Sequence, residues 1–304
     1  MGAMDEPNVS AIVVAYDSAD VLPACLAALA VTDYPALEIL VVDNASNDAS
    51  AQVASEHPGV RVVAADENLG FGRGCNLGAA SAAGEVLVFL NPDVEVTPGW
   101  LRPLVDHLQA HPDVAILCPT TLRPDEPAAP VARLEDCPNL AGAAMALTRS
   151  AWEWLGGFDE RIFLYWEDTD LCWRTWLGGR RVVKDHSSIV RHERGGSGGG
   201  LRWSAEQVKN GLYVHLKLMP WPTTARFAAR MAAKTALRLA QQRDVALLRA
   251  WSWNLAHLPQ TLRWRREHLD GVPAARRERL LALQRLHAQW RSRPEALPFA
   301  TRVE

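Results

Sequence analysis

Three acids fall within four residues in Tyr165-Trp166-Glu167-Asp168-Thr169-Asp170, directly after two aromatic side chains. Carboxylates beside aromatic faces suit a polyol or a sugar: the rings cover C–H faces and the acids hydrogen-bond hydroxyls. A carboxylate within hydrogen-bond reach of a hydroxyl can also serve as a general base. Helix capping is the plainer use of such acids, since negative side chains near a helix N-terminus offset its dipole. That covers one or two of them and leaves Tyr165 and Trp166 unexplained. Asp93, in Asn91-Pro92-Asp93, closes an apolar run. A carboxylate there can hold Mg²⁺ or Mn²⁺ together with substrate phosphates, although Asn-Pro-Asp is also an ordinary turn. His192 stands alone before a run of glycines at 195–200 and by itself reads as structural.

Other chemistries are excluded by spacing. No H-E-x-x-H or paired-cysteine pattern supports zinc, and no G-x-x-x-x-G-K-[ST] supports a P-loop. Gly70-Phe71-Gly72-Arg73-Gly74-Cys75 breaks the dinucleotide fingerprint at its last position.

The candidate residues need a frame to hold them. Apolar runs at Val9–Tyr16, Leu37–Val42, Val60–Ala64 and Val86–Leu90 read as buried strands. Helical spacing at Val21–Leu29, Ser50–Glu56 and Gly70–Ala83 separates them. Strands alternating with helices predict an α/β fold with a mostly parallel sheet flanked by helices. Such sheets bind ligands at the carboxyl ends of their strands. Tyr16-Asp17, Asp43-Asn44 and Asn91-Pro92-Asp93 all follow strand ends, which favours one site over three unrelated turns. Farther along, Pro119–Pro138 reads as a surface loop, Gly142–Thr148 as a strand, and Arg181–Val183 as a last short strand. Beyond residue 200 the chain reads as helices, with breaks near Pro220-Trp221-Pro222, Pro259 and Pro273.

The 304 residues are 48% hydrophobic and 22% charged, a globular composition. The net charge of −3 conceals a division. Residues 1–200 carry 13 basic and 28 acidic side chains, a net of −15; residues 201–304 carry 19 and 7, a net of +12. Two parts meeting different partners are expected, with a boundary at 200. Five cysteines without a CxxC pair suggest reduced thiols. The N-terminus lacks the basic and apolar regions of a signal peptide, and no apolar run reaches 18 residues.

The motifs together resemble the family 2 glycosyltransferases of the GT-A fold, in their bacterial rhamnosyltransferase-like branch. The matching segments are Val13–Ser18, Val41–Asp48, Glu67–Gly72, Asn76-Leu77-Gly78, Phe89–Asp93, Gly156–Glu160, Tyr165–Leu171, and His192 with Ser197. The resemblance implies that Asp43 contacts a nucleobase, with Tyr16, Asp17 and Asn44 in the same pocket. Asn68, Gly70, Arg73, Asn76 and Asn91 would border the nucleotide and its sugar. Asp93 and His192 would bind Mg²⁺ or Mn²⁺; Asn91 replaces the first aspartate of the family's D-x-D motif. Asp168 would be the catalytic base, with Glu167 beside it, and Tyr165 and Trp166 would meet the acceptor. The implied reaction is inverting: the acceptor hydroxyl displaces a nucleoside diphosphate in one step.

The branch favours dTDP-L-rhamnose as donor and a polyprenyl-diphosphate-linked saccharide as acceptor, in cell-surface polysaccharide synthesis. A UDP-hexose or UDP-galactofuranose donor is the alternative within the same chemistry. A non-catalytic sugar-nucleotide-binding scaffold is the alternative class, and a nucleotidyltransferase lacks its glycine- and lysine-rich signature. Arg226, Arg230, Lys234 and Arg238 form a basic stripe, and six tryptophans lie beyond residue 200. That pairing predicts a peripheral anchor on an anionic membrane, at the cytoplasmic face. No nucleic-acid motif is visible, and the oligomeric state is open, a homodimer included.

Overall fold

The computed structural model describes residues 6–140, 142–192, 205–242 and 245–292. Strands β1 (Val9–Ala15), β2 (Leu37–Asp43), β3 (Val60–Ala64) and β4 (Val86–Leu90) alternate with helices α1 (Leu22–Ala30), α2 (Ser50–Glu56) and α3 (Phe71–Ser81). The strands pair in parallel in the order β3-β2-β1-β4. Both faces of β1 are buried, which explains its mainly apolar sequence; its one polar residue, Ser10, is buried and hydrogen-bonded to Glu38. Ile12 and Val14 point into a core shared with α3, while Val9, Ala11 and Val13 point into a second core shared with α1.

The sheet continues through β5 (Val94–Val96), β6 (Val114–Leu122), β7 (Leu134–Asp136), β8 (Ala144–Thr148) and β9 (Arg181–His192). Beyond β4 the order is β8-β6-β9-β5, with β7 also beside β9. This half is mixed: β6 and β9 run parallel, while β4–β8, β6–β8, β5–β9 and β7–β9 are antiparallel. Helices α4 (Leu101–Ala110), α5 (Arg149–Leu155) and α6 (Glu167–Gly178) cover it.

Three expectations are corrected here. The segment 119–138 is not one loop: β6 continues to Leu122 and β7 begins at Leu134. Pro119, which cannot donate to the ladder, sits at a register shift against β9, so the strand passes through it. The last strand is twelve residues long rather than three. Its polar centre hid it: Asp185 and Ser188 are fully buried, and each is satisfied internally, Asp185 by His107 Nδ1 at 2.5 Å and Ser188 through the Trp100 carbonyl at 2.6 Å. Finally, Pro259 lies inside a continuous helix.

Four helices follow: α7 (Ala205–Leu218), α8 (Trp221–Gln242), α9 (Ala246–Leu269) and α10 (Ala274–Ser292). The breaks at Pro220–Pro222 and Pro273 are observed. Packing of α9 along α7 outweighs the roughly 3 kcal/mol that a proline costs a helix interior. The expected boundary at 200, the glycine run and Ser197 lie outside the described residues. On the far side of that gap, Tyr213, Val214, Leu218, Met219, Leu269 and Leu280 enter the same core as α3 and β4. All five cysteines are free and buried. No helix among the described residues is long and apolar enough to cross a membrane.

Candidate active site

Parallel pairing brings the polar strand ends to one edge. Ala15 lies opposite Asp43, and Val13 opposite Leu90, so residues 16–17, 43–44 and 91–93 leave the sheet together. The first two turns brace each other. Asn47 N donates to Asp17 Oδ1 at 2.7 Å, and Asp17 N to Ser46 Oγ at 3.1 Å. Asp17 (φ 46°) and Ala45 (φ 58°) both hold left-handed backbone, uncommon outside glycine. Asp43 is buried and accepts from Ser46 N at 3.4 Å, while Tyr16 stays exposed beside it.

The second rim is a loop held from below. Buried Asn44 accepts from Leu69 N at 2.9 Å and donates to Asn68 Oδ1 and the Gly70 carbonyl. Gly70 (φ 76°) requires its residue type, because a Cβ there would run into the Phe163 carbonyl. Phe71 N donates to that same carbonyl at 3.1 Å, which ties the start of α3 to the loop before α6. Asn44, Asn68 and Gly70 therefore build the loop's shape. Asn76 is engaged within the protein. Its Nδ2 donates to the Phe158 carbonyl at 3.0 Å and its Oδ1 accepts from Phe158 N at 2.9 Å, so both ends of the amide latch the Gly156–Glu160 motif. Arg73 is half-exposed and 3.6 Å from Glu67.

Asp93 and His192 meet although 99 residues separate them, because Val94 of β5 pairs with His192 of β9. His192 Nε2 lies 3.1 Å from Asp93 Oδ1. The contact lacks hydrogen-bond geometry, and both Asp93 oxygens are buried with no hydrogen-bond partner. A buried carboxylate left that way is costly, and the Asp/His donor pair fits a hard divalent cation completed by phosphate and water. No group of three or more metal-ligating side chains exists among the described residues, so any such site is open. Asn91 Nδ2 reaches to 3.5 Å from His192 Nε2.

Glu167 and Asp168 open α6. Asp168 Oδ1 accepts from Thr169 N at 2.5 Å, and Oδ2 accepts from Gly142 N at 3.2 Å. One residue on, the Ala143 carbonyl accepts from Asn91 N at 3.0 Å. The Gly142-Ala143 backbone thus bridges the Asp168 carboxylate to the strand end carrying Asp93. Gly142 gave no signal in the sequence. Burial pushes Glu167 up to about 8, with the neighbouring Asp168 charge adding to it, and Glu167 Oε2 is buried without a partner. Burial also raises Asp168, against the opposing effect of its Thr169 and Gly142 hydrogen bonds. Asp170 serves structure: it is fully buried, 2.7 Å from both Arg174 Nε and Lys217 Nζ.

The turn before these acids is strained, with Tyr165 at φ 68° and Trp166 at φ 76°. Its support comes from α7. Buried Asn210 donates through Nδ2 to the Leu164 carbonyl at 2.9 Å and the Tyr165 carbonyl at 3.1 Å. The Trp166 ring packs over Gly211 and edge-on to His215, Trp173 and Phe227. Trp166, partly buried, thus packs against α7 and α8, while Tyr165 is exposed. Asn210 was invisible in the sequence, lying forty residues beyond the motif it supports.

Much of the Arg/Trp pattern beyond residue 200 is also internal. Lys217 lies 4.5 Å from the Trp264 ring, Arg279 4.9 Å from Trp176, and Lys209 5.2 Å from Trp253. Trp264 stacks on His268 and Trp253 on His257. Trp221 also has a guanidinium over its ring, Arg265 at 4.8 Å, but is 54% exposed; Leu237, Val245 and Leu248 are exposed as well.

A sheet whose strand ends gather an Asp/His pair and a cross-braced loop, with the Glu167-Asp168 pair at the start of α6 tied to them, is of the GT-A type. The family model for glycosyl transferase family 2 matches residues 10–187, and the chain belongs to that family. It is 30% identical over 235 residues to an N-acetylglucosaminyl-diphospho-decaprenol L-rhamnosyltransferase of Mycobacterium tuberculosis, covering 62% of this chain and 76% of that protein. It is also 30% identical over 184 residues to a pre-mycofactocin glycosyltransferase of the same organism, covering 54% of this chain and 39% of the relative. Among solved structures, the mannosyltransferase PcManGT from Pyrobaculum calidifontis, in complex with GDP-Man and Mn²⁺, superposes with TM-score 0.57 at 20% identity. That match covers 94% of this chain and 81% of the other. GalNAc-T7 with UDP, GalNAc and Mn²⁺ gives TM-score 0.60 at 18% identity over 71% of this chain, which spans about half (48%) of that chain.

Proposed function

We propose that the protein is a metal-dependent inverting glycosyltransferase that moves L-rhamnose from dTDP-L-rhamnose onto a polyprenyl-diphosphate-linked saccharide. The observation that carries this reading is the Gly142-Ala143 bridge, which ties the Asp168 carboxylate to the Asp93 strand end. A base and a diphosphate-binding carboxylate on one short backbone segment suit a single displacement. The sugar and acceptor rest on the similarity to the mycobacterial rhamnosyltransferase.

The roles follow from the environments. Tyr16, Asp17 and Asp43 line the nucleotide end, on turns held by Asn44 and Asn68. Asp93 and His192 would hold Mg²⁺ or Mn²⁺, which when bound offsets charge on the leaving diphosphate. Asp168 accepts the proton of the acceptor hydroxyl at a carboxylate oxygen. Glu167, protonated near neutral pH, adds no second charge beside it, so Asp168 can stay ionised. Tyr165 offers the exposed ring for the acceptor. We further place the protein peripherally on an anionic membrane surface, with Trp221, Leu237, Val245 and Leu248 as the apolar contacts.

A thermal-shift screen of nucleotide sugars with Mn²⁺ tests the donor. Stabilisation by dTDP-L-rhamnose above dTDP-glucose and the UDP-sugars is the expected result, since a bound ligand raises the melting temperature by mass action. A preference for UDP-galactofuranose or a UDP-hexose would replace the donor, and no response to any sugar nucleotide would contradict the function.

A further inference from the structure

Helices α8 and α10 enclose a cleft of about 540 Å³ that the proposed reaction does not use. Its walls carry Arg226 and Arg230 from α8 and Arg285 from α10, with Thr223, Gln284 and the Phe227 ring. Among the described residues no carboxylate lines it. Arg226 donates to the Pro222 carbonyl at 3.2 Å and Arg230 lies 5.3 Å from the Phe227 ring, but none of the three is ion-paired with an acid among the described residues. Neighbouring basic groups are treated differently. Lys217 has Asp159 and Asp170, Arg279 has Asp136, and Arg276 has two backbone carbonyls. His215, at the base of the cleft, is pushed down to about 4, first by burial and then by the charge on Arg230.

Three guanidinium groups around one concavity, none paired with an acid among the described residues, make a positive patch that favours an entering anion. A guanidinium presents a planar fork of donors that matches phosphate oxygens two at a time. The volume falls within the roughly 300–1,000 Å³ range of small-ligand sites. We propose that the α8–α10 cleft is a phosphate-binding site that takes a diphosphate or phosphodiester group. Phe227, which forms one wall, also lies 5.6 Å from Trp166, the residue before Glu167. The cleft is therefore one aromatic layer from the catalytic turn. The group has two sources, the diphosphate of a lipid-linked acceptor and the headgroup of an anionic phospholipid; the first rests on the proposed acceptor and the second on the proposed membrane surface.

The test is calorimetric titration of the full chain with inorganic pyrophosphate in EDTA-containing buffer, comparing wild type with R226Q/R285Q. Both arginines are exposed, so the fold should survive, and a melting curve checks it. The proposal expects saturable binding that the double variant weakens roughly tenfold or more. Equal affinities, or no binding by wild type, would overturn it. Should the double variant not fold, R285Q alone is expected to weaken binding measurably, and an unchanged affinity would count as the same contradiction. Two further arms separate the sources for a site that binds. Loss of sedimentation with phosphatidylglycerol but not phosphatidylcholine vesicles marks the headgroup. A raised KM for a polyprenyl-diphosphate-linked saccharide, with vesicle binding intact, marks the acceptor. Pyrophosphate binding needs no turnover, so its failure is distinct from a failure of glycosyl transfer.

Discussion

Lys217 Nζ donates to Asp170 Oδ1 at 2.7 Å, joining α7 to the helix that begins with Glu167 and Asp168. The same ammonium lies 2.6 Å from Asp159 Oδ2, which also accepts from Tyr213 Oη. One buried cation thus serves an acid from each of two motifs, and it holds the Asp159 carboxyl down at about 2 against the upward effect of burial. Removing one partner of a buried ionic cluster typically costs about 3–5 kcal/mol, because the remaining charges stay buried. Lys217→Met should lower stability by that order, read by urea unfolding. A loss under about 1 kcal/mol, of surface-pair size, would mean that α7 is not integral to the catalytic unit.

Asn210 makes the second link from α7, to the carbonyls of Leu164 and Tyr165. Two consecutive non-glycine residues in left-handed conformation persist only where their surroundings hold them. Asn210→Leu removes the donor while keeping similar bulk. Turnover should fall by about 10²-fold with the KM for the nucleotide sugar unchanged, as for a misplacement of about 1 Å at the reacting groups. A rise in donor KM with kcat preserved would place the effect at the nucleotide instead.

Glu167 makes stability depend on pH. Its carboxyl is raised in the folded state from the ordinary range to about 8, so the folded protein binds a proton that the unfolded chain has released. Stability from this group is therefore intact at acid pH and is lost as pH climbs from about 4.5 toward 8. Glu167→Gln cannot ionise. The melting temperature of the variant relative to wild type should rise steadily between pH 5 and pH 8.5. A difference that stays flat over that range would show that Glu167 is ionised in the native protein.

The parallel half of the sheet was legible because strands buried on both faces are written as plain apolar runs, as in Val86–Leu90. Asp43 and Asp93 were legible for a related reason: a polar residue directly after such a run marks the binding edge. The other half was less so. In Arg181–His192, burial of Asp185 and Ser188 is offset by hydrogen bonds rather than apolar side chains, and hydropathy does not register that. Trp166, Asn76 and Asp170 have the residue types of a site, and each also makes supporting contacts that the sequence did not show. Their actual partners, Gly211, Phe158 and Lys217, are distant in sequence. The basic C-terminal part suggested a unit with its own partner; the contacts of Lys217, Asn210 and Tyr213, which join α7 to the motifs at 159–170, could not be read from it.

The central claim is that Asp168 is the base that accepts the acceptor's proton. Asp168→Asn preserves shape and retains an oxygen for the Gly142 and Thr169 amides, but it cannot take the proton. Turnover of the variant and its calorimetric affinity for the nucleotide-sugar donor should be measured on the same preparation. The account predicts a loss of roughly 10²–10⁴-fold in turnover with donor affinity unchanged; turnover close to wild type would contradict it.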